Sequence, residues 1–217
     1  MYKACIFDLD GTLTDTLESL TYSVNATLTE LNLPCITSEE CRSFVGNGAR
    51  FLIERALQAS GDENLTYIEK AMDVYGRIFK EYCTYRVKPY DGIVEMLEEL
   101  KRLGVKMAVL SNKPHLQTID VVSTFFGEDT FVYAQGQMEG VPRKPDPTAA
   151  LMIAEKLLVD REECVYIGDS EVDMKTASAA GMTGVGVTWG FRSEAVLLES
   201  GANHTINHPE ELLSIVK

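Results

Sequence analysis

No stretch of this 217-residue chain approaches the ~18 consecutive apolar residues that a membrane-spanning helix requires. Basic residues are scarce: 20 Lys and Arg stand against 33 Asp and Glu, a formal charge of −13 and a pI near 4.7. Nucleic acid and anionic membrane surfaces need a basic stripe, so neither is expected as a partner. Five cysteines, Cys5, Cys35, Cys41, Cys83 and Cys164, are odd in number and scattered, with no C-x-x-C pair. Cys5 and Cys164 lie in apolar runs where a thiol acts as a small core residue, which fits a reducing compartment. The sequence meets Asp8 too early for a signal peptide, and a cytoplasmic location is expected. His204 and His208 have the spacing of helical metal ligands, but Thr205-Ile206 between them and Pro209 after them oppose a helix. No zinc site is expected there. Repeats and low-complexity segments are also missing.

What remains is an ordinary globular composition, 45% hydrophobic and 24% charged, with one unusual opening. In MYKACIFDLDGTLTD, the apolar run Ala4-Cys5-Ile6-Phe7 ends abruptly in Asp8 and Asp10. Two carboxylates ~4 Å apart at an effective dielectric near 20 repel by about 4 kcal/mol. Either a positive group offsets that repulsion or one acid keeps its proton.

The rest of the chain alternates. Leu17, Leu20, Val24, Leu28 and Leu31 recur at helical spacing; further helices are predicted over Ser38–Phe44 and Ala49–Ala59 and from Thr66 to about Cys83. Thr37-x-x-Glu40 and Thr66-x-x-Glu69 read as capping boxes. Residues 16–86 are therefore expected to be all-helical. From Pro89 onward, helices over 92–103, from Pro114, over 147–158, over 171–180 and from Pro209 separate short apolar strands. Those strands are Val105–Leu110, Cys164–Ile167 and Gly184–Thr188, with Phe131–Val141 expected to be irregular. Strands without alternation, each followed by a helix, indicate a parallel sheet covered on both faces. The expected fold is a doubly wound, Rossmann-like α/β core, 1–15 plus 87–217, with a helical insert after its first strand.

Ligands of such sheets bind beyond the carboxyl ends of the strands, and chemistry collects there. The first strand ends in Asp8 and Asp10, the second in Ser111-Asn112, and the Cys164 strand in Gly168-Asp169 with Asp173 four residues on. Lys144 sits in Arg-Lys-Pro-Asp-Pro ahead of a helix. Each alone has a bland reading: an aspartate at a turn, Ser-Asn capping a helix, a loop lysine, acids near a helix N-terminus. Their joint arrival at one sheet edge favours a site.

The ordered set Asp8-Leu9-Asp10-Gly11-Thr12, Ser111-Asn112, Lys144 and Gly168-Asp169-Ser170-x-x-Asp173 resembles the four motifs of the haloacid dehalogenase superfamily. The insert is similar to that superfamily's helical cap. Phe44-Val45-Gly46-Asn47-Gly48-Ala49-Arg50 and Gly190-Phe191-Arg192 are similar to the phosphoglycolate phosphatase subgroup. The resemblance implies that Asp8 is a nucleophile forming an aspartyl-phosphate and that Asp10 is the general acid and base. It also implies Mg²⁺ held by Asp8, the Asp10 carbonyl and Asp169, with Asp173 behind them. Lys144 would neutralise charge, and Thr12, Ser111 and Asn112 would serve the phosphate. Asp10 points to phosphate esters, because haloacid dehalogenases lack it, phosphonate-cleaving members have a small residue there and ion-pumping ATPases have Thr. Asp15 is expected to be a turn or hinge acid.

Gly46, Asn47 and Gly48 form either a plain helix–helix turn or a loop that closes over Asp8 and offers N–H groups to the substrate, with Arg50 as a carboxylate partner. The implied partner is a small phosphorylated metabolite, 2-phosphoglycolate foremost; whether the chain is a monomer or homodimer stays open. Two other functions share these features: a sugar phosphomutase of the β-phosphoglucomutase type, and a non-catalytic phosphoacceptor domain.

Overall fold

A computed structural model describes all 217 residues. In chain order the elements are β1 (Ala4–Phe7), β2 (Thr14–Asp15), α1 (Leu17–Glu30), α2 (Ser38–Phe44), α3 (Ala49–Ala59), α4 (Ile68–Tyr82), β3 (Lys88–Pro89), α5 (Ile93–Arg102), β4 (Lys106–Pro114), α6 (His115–Phe126), β5 (Tyr133–Gln137), α7 (Thr148–Leu157), β6 (Cys164–Gly168), α8 (Glu171–Ala180), β7 (Thr183–Val187), α9 (Glu194–Glu199), β8 (His204–Ile206) and α10 (Leu212–Val216). No helix is long and apolar enough to cross a membrane.

Six strands form a parallel sheet in the order β5-β4-β1-β6-β7-β8. The chain starts in the middle, winds outward to one edge and then crosses β1 to build the other. Alternation along β1 decides which layer each residue joins. Cys5 and Phe7 pack with Val109, Val165 and Ile167 against Ile93, Leu97 and Leu100 of α5. Ala4 and Ile6 pack on the opposite face with Ala108 and Tyr166 against Ala150, Ile153 and Ala154 of α7 and Ala177 of α8. Both faces are thus dry, which is why these strands read as unbroken apolar runs.

Helices α1–α4 hold a third apolar cluster, including Leu20, Val24, Leu28, Leu52, Ile53, Leu57, Tyr75 and Phe79. The chain leaves the sheet region through β2 and returns through β3, which pair antiparallel with Thr14 opposite Pro89 and Asp15 opposite Lys88. Asp15 also accepts from the Leu17 N–H at 3.3 Å, opening α1. Thr37 and Glu40 form the expected capping box on α2.

Several expectations are corrected. The second capping box does not form: the Asp62 carboxylate accepts from the Thr66 and Tyr67 N–H groups at 2.8 and 2.9 Å, and α4 starts only at Ile68. An ionised carboxylate that reaches two N–H groups outcompetes a hydroxyl. β4 runs on through Ser111, Asn112 and Lys113 to Pro114, because β5 pairs with it across a register shift between Leu110 and Pro114. Residues 133–137, expected to be irregular, are that β5. The expectation that no helix joins the two histidines is met: His204 lies in strand β8.

Candidate active site

The register that seats Phe7 of β1 opposite Val109 of β4 and Ile167 of β6 brings three strand ends to one rim. Asp8 follows β1, Ser111–Lys113 occupy the last residues of β4, and Asp169 follows β6. The loop between β5 and α7 delivers Lys144 to the same place. Its ammonium lies 2.9 Å from Asp8 Oδ1, 2.7 Å from Asp173 Oδ1 and 3.1 Å from the Leu110 carbonyl. It is 2% exposed at the side chain.

Position in α8 explains Asp173. Ser170 caps that helix by accepting from the Asp173 N–H, and the Asp173 carboxylate accepts in return from the Ser170 N–H and hydroxyl. Gly168 leaves room for this arrangement, since a Cβ there would run into the Asp173 side chain. Asp169 is held as firmly. It accepts from Thr12 Oγ1 at 3.3 Å and from the Phe191 N–H at 2.7 Å, and a Cβ on either Gly11 or Gly190 would strike it.

The electrostatics are unbalanced. Carboxylate oxygens of Asp8, Asp169 and Asp173 lie within 4.8 Å of one another, with one buried ammonium among them. Burial first, then Asp173, pushes the Asp8 carboxyl up to about 7, against the pull of Lys144. Burial, with Asp173 and Asp8 beside it, raises Asp169 well above the usual range. Burial lowers the Lys144 pKa, yet Asp173 and Asp8 more than offset it and keep the ammonium protonated. Lys144 is within ion-pair distance of Asp8 Oδ1, but its hydrogen bonds are directed to Asp173 and Leu110. Asp8 Oδ1 is therefore buried without a hydrogen bond. Three buried carboxylates gathered around one ammonium leave an excess of negative oxygen donors, the donor set of a hard divalent cation. The residues present fit one.

Asp10 turns away from this cluster. Lys113 donates to its Oδ1 at 2.8 Å, and the Asp10 carboxylate is not among the acids gathered at Asp8, Asp169 and Asp173. Above the rim is a cavity lined from below by Asp8, Asp10, Ser111, Lys113 and Asp169. Leu20, Val45, Gly46, Gly48, Leu52, Tyr75 and Phe79 of the helical insert form its roof.

Among the expected site residues, Asp8, Asp10, Ser111, Asn112, Asp169, Gly46 and Gly48 line this cavity, and Lys144 and Asp173 support it from below. Others are placed differently. Thr12 is buried and spends its hydroxyl on Asp169. The Asn112 side chain is consumed by the Gly46 carbonyl, the Lys144 carbonyl and the Lys144 N–H. Asn47 is absent from the cavity wall and presents its carbonyl to Arg143. Arg50 is on the outside, paired with Glu54 and Glu69 at 3.0 and 2.9 Å. An exposed guanidinium with two carboxylates within reach on its own surface has no call to face the cavity.

Sequence reasoning passed over Lys113, although the repulsion at Asp8 and Asp10 asked for a second cation. It also missed the arginine latch. Arg192, beside Glu171, donates to the carbonyls of Arg42 and Val45, while Arg42 donates back to the carbonyl of Gly190. The Gly190-Phe191-Arg192 triplet held this signal.

Comparison with known proteins agrees with this geometry. Residues 5–187 match the model of a family described as haloacid dehalogenase-like hydrolase. A phosphoglycolate phosphatase of Colwellia psychrerythraea is 32% identical over 99% of this chain and 97% of its own, and one from Haemophilus influenzae 30% identical over 99% and 98%. A crystal structure from Lactobacillus delbrueckii subsp. bulgaricus, assigned as a phosphoglycolate phosphatase, superposes with a TM-score of 0.91 at 32% identity, covering 99% of this chain and 98% of that one. With the acids, the lysine and the inserted helices all in place along a match of this length, the chain belongs to the haloacid dehalogenase-like hydrolases.

Proposed function

We propose that this hydrolase is a Mg²⁺-dependent phosphatase of small phosphomonoesters, with 2-phosphoglycolate as its leading substrate. In this reading residues 1–15 and 87–217 are the catalytic core and residues 16–86 the cap domain. The observation that carries it is Asp8: a buried carboxylate on the floor of a cavity, ion-paired to Lys144 at 2.9 Å and grouped with Asp169 and Asp173.

Phosphate monoesters hydrolyse so slowly that accelerations up to ~10²¹-fold are called for, and passing through a covalent intermediate divides the barrier. Asp8 attacks phosphorus, and the bond from phosphorus to the ester oxygen breaks as Asp10 gives that oxygen a proton. Water then attacks the aspartyl-phosphate; Asp10 takes its proton, and Asp8 is released with inorganic phosphate. Lys144 and the Ser111 hydroxyl bind phosphate oxygens. Asp8, Asp169 and the Asp10 carbonyl would hold the metal, with Asp173 fixing Lys144 behind them. When bound, the cation would offset the carboxylate charge that otherwise repels a phosphate dianion.

Support for a small acid-bearing substrate comes from the roof. Gly48, at φ +89°, is the N-cap of α3, and Gly48, Ala49 and Leu52 at the start of that helix line the cavity. Unpaired N–H groups at a helix start favour a carboxylate. The phosphoglycolate phosphatase names of the relatives point the same way. The test is phosphate release from a panel of phosphomonoesters with and without Mg²⁺. Release of phosphate from none of them, with Mg²⁺ present, would remove the proposal.

A further inference from the structure

The Asp8 and Asp10 carboxylates, two residues apart, each have a buried lysine of their own. Lys144 belongs to the cluster below Asp8. Lys113 does not; it reaches Asp10 Oδ1 at 2.8 Å, with its side chain 1% exposed and that of Asp10 12% exposed. On its other side the Lys113 ammonium lies 4.7 Å from the centroid of the Phe79 ring. Phe79 comes from α4 of the cap and is stacked on Tyr75, with ring centroids 5.0 Å apart and 16° between the planes. One ammonium is therefore clamped between a carboxylate of the core and an aromatic face of the cap. A cation over a desolvated ring is held more strongly than one at an exposed site. Lys113 sits near the end of β4, so the core sets where the Asp10 carboxylate is held, and the Phe79 ring of the cap covers the ammonium that holds it.

We propose that Lys113 is a positioning residue for Asp10, and that Phe79 makes this hold depend on cap closure. This rests on Asp10 being the group that protonates the leaving oxygen. The consequence is specific. Lys113 has no bond to Asp8 or to the metal carboxylates, so its removal spares the attack on phosphorus and affects the two proton transfers of Asp10, of which only the first, to the leaving oxygen, depends on the ester. An alkyl phosphate needs that proton because a bare alkoxide is a poor leaving group. A nitrophenyl phosphate does not need it, because the phenolate departs unaided.

The experiment compares the pre-steady-state rate of glycolate or 4-nitrophenolate release, which reports phosphorylation of Asp8 before Asp10 acts on water, for 2-phosphoglycolate and 4-nitrophenyl phosphate at saturating Mg²⁺ in Lys113→Met, Lys113→Arg, Phe79→Leu, Asp10→Asn and the double variant Asp10→Asn/Lys113→Met. Lys113→Met is expected to lose ~100-fold on the alkyl ester, the lower range for one misplaced proton donor, and less than about a third of that on the aryl ester. Lys113→Arg should recover part of the alkyl loss. Phe79→Leu keeps both charges and serves if the Met variant does not fold; it should show the same split at smaller size, and equal losses on the two esters would overturn the link to the cap. The double variant should lose no more on the alkyl ester than Asp10→Asn alone, because groups acting as one unit are not additive. Equal losses in the release rate of the two leaving groups in Lys113→Met, additive losses in the double variant, or a rise in KM with the release rate intact would overturn the inference. Full alkyl activity in Asp10→Asn would instead overturn the assignment of Asp10 on which it stands.

Discussion

Asp8 and Asp10 settle their repulsion by diverging, one carboxylate toward Lys144 and the other toward Lys113. That the two acids need cations is readable in Asp-x-Asp; which cations serve them is not, because Lys144 and Lys113 come from loops and strands 103 or more residues away. The sequence named Lys144 through its motif and passed over Lys113, which looks like any lysine after Ser-Asn. Replacing Asp8 with Asn should abolish turnover while leaving the fold intact. The amide is near isosteric, and the uncompensated negative charge of the cluster falls. Near wild-type phosphate release by that variant would mean a different nucleophile. Gly190 is a second test at this scale. A Cβ there meets the Asp169 side chain and the Gly11 carbonyl, so Gly190→Ala should displace Asp169 and weaken Mg²⁺ binding by ~10–100-fold, the usual cost of disturbing a ligand's support. Titration calorimetry reads it directly; unchanged affinity would remove Asp169 from the ligand set.

Among the elements, those whose burial pattern is local were readable and those that depend on partners were not. β1 and β6 announce themselves as apolar runs, and α1 and α3 through their spacing. β5 has the sequence Tyr-Ala-Gln-Gly-Gln, with no apolar pattern of its own; it is a strand because β4 offers it an edge. Asp62 displaced the Thr66 box because its carboxylate lies four residues away in a turn that the local motif does not contain. The cap loop was half readable: its glycines were recognised, but the core groups that grip it, Asn112, Arg143 and Arg192, are remote in sequence. Gly48 tests that loop. At φ +89° a β-branched residue is strained, and its Cβ would lie 3.3 Å from the Asn112 carbonyl and 3.4 Å from Arg143. Gly48→Val should therefore cut turnover of 2-phosphoglycolate by at least ~10-fold more than that of a generic aryl phosphate, since a helix-start carboxylate contact contributes on the order of 1–2 kcal/mol. Equal losses in steady-state assays would remove the loop from substrate selection.

At the scale of the whole molecule, the site is a load that the fold carries against its own stability. A carboxyl whose folded pKa is raised, as burial and Asp173 raise Asp8 from 3.8 to about 7, binds more protons folded than unfolded between those values. Stability must then fall as pH rises through that window. Asp169 is shifted in the same direction. Exposed acids such as Glu40 and Asp146 are lowered by hydrogen bonds from Thr37 and Thr148, and their contribution is lost only at lower pH. Chelator-treated protein should therefore melt at a lower temperature at pH 8 than at pH 5, with a difference on the order of a few kcal/mol in stability. General repulsion within a chain of charge −13 acts in the same sense, so the control is Asp8→Asn, which removes the titrating group and should flatten much of the slope. Because Mg²⁺ binds ionised carboxylates of the folded state, it should raise the melting temperature more at pH 8 than at pH 5. Identical melting curves at the two pH values, or a slope unaffected by Asp8→Asn, would show that the acids carry no such strain. The cation would then have nothing at this site to relieve.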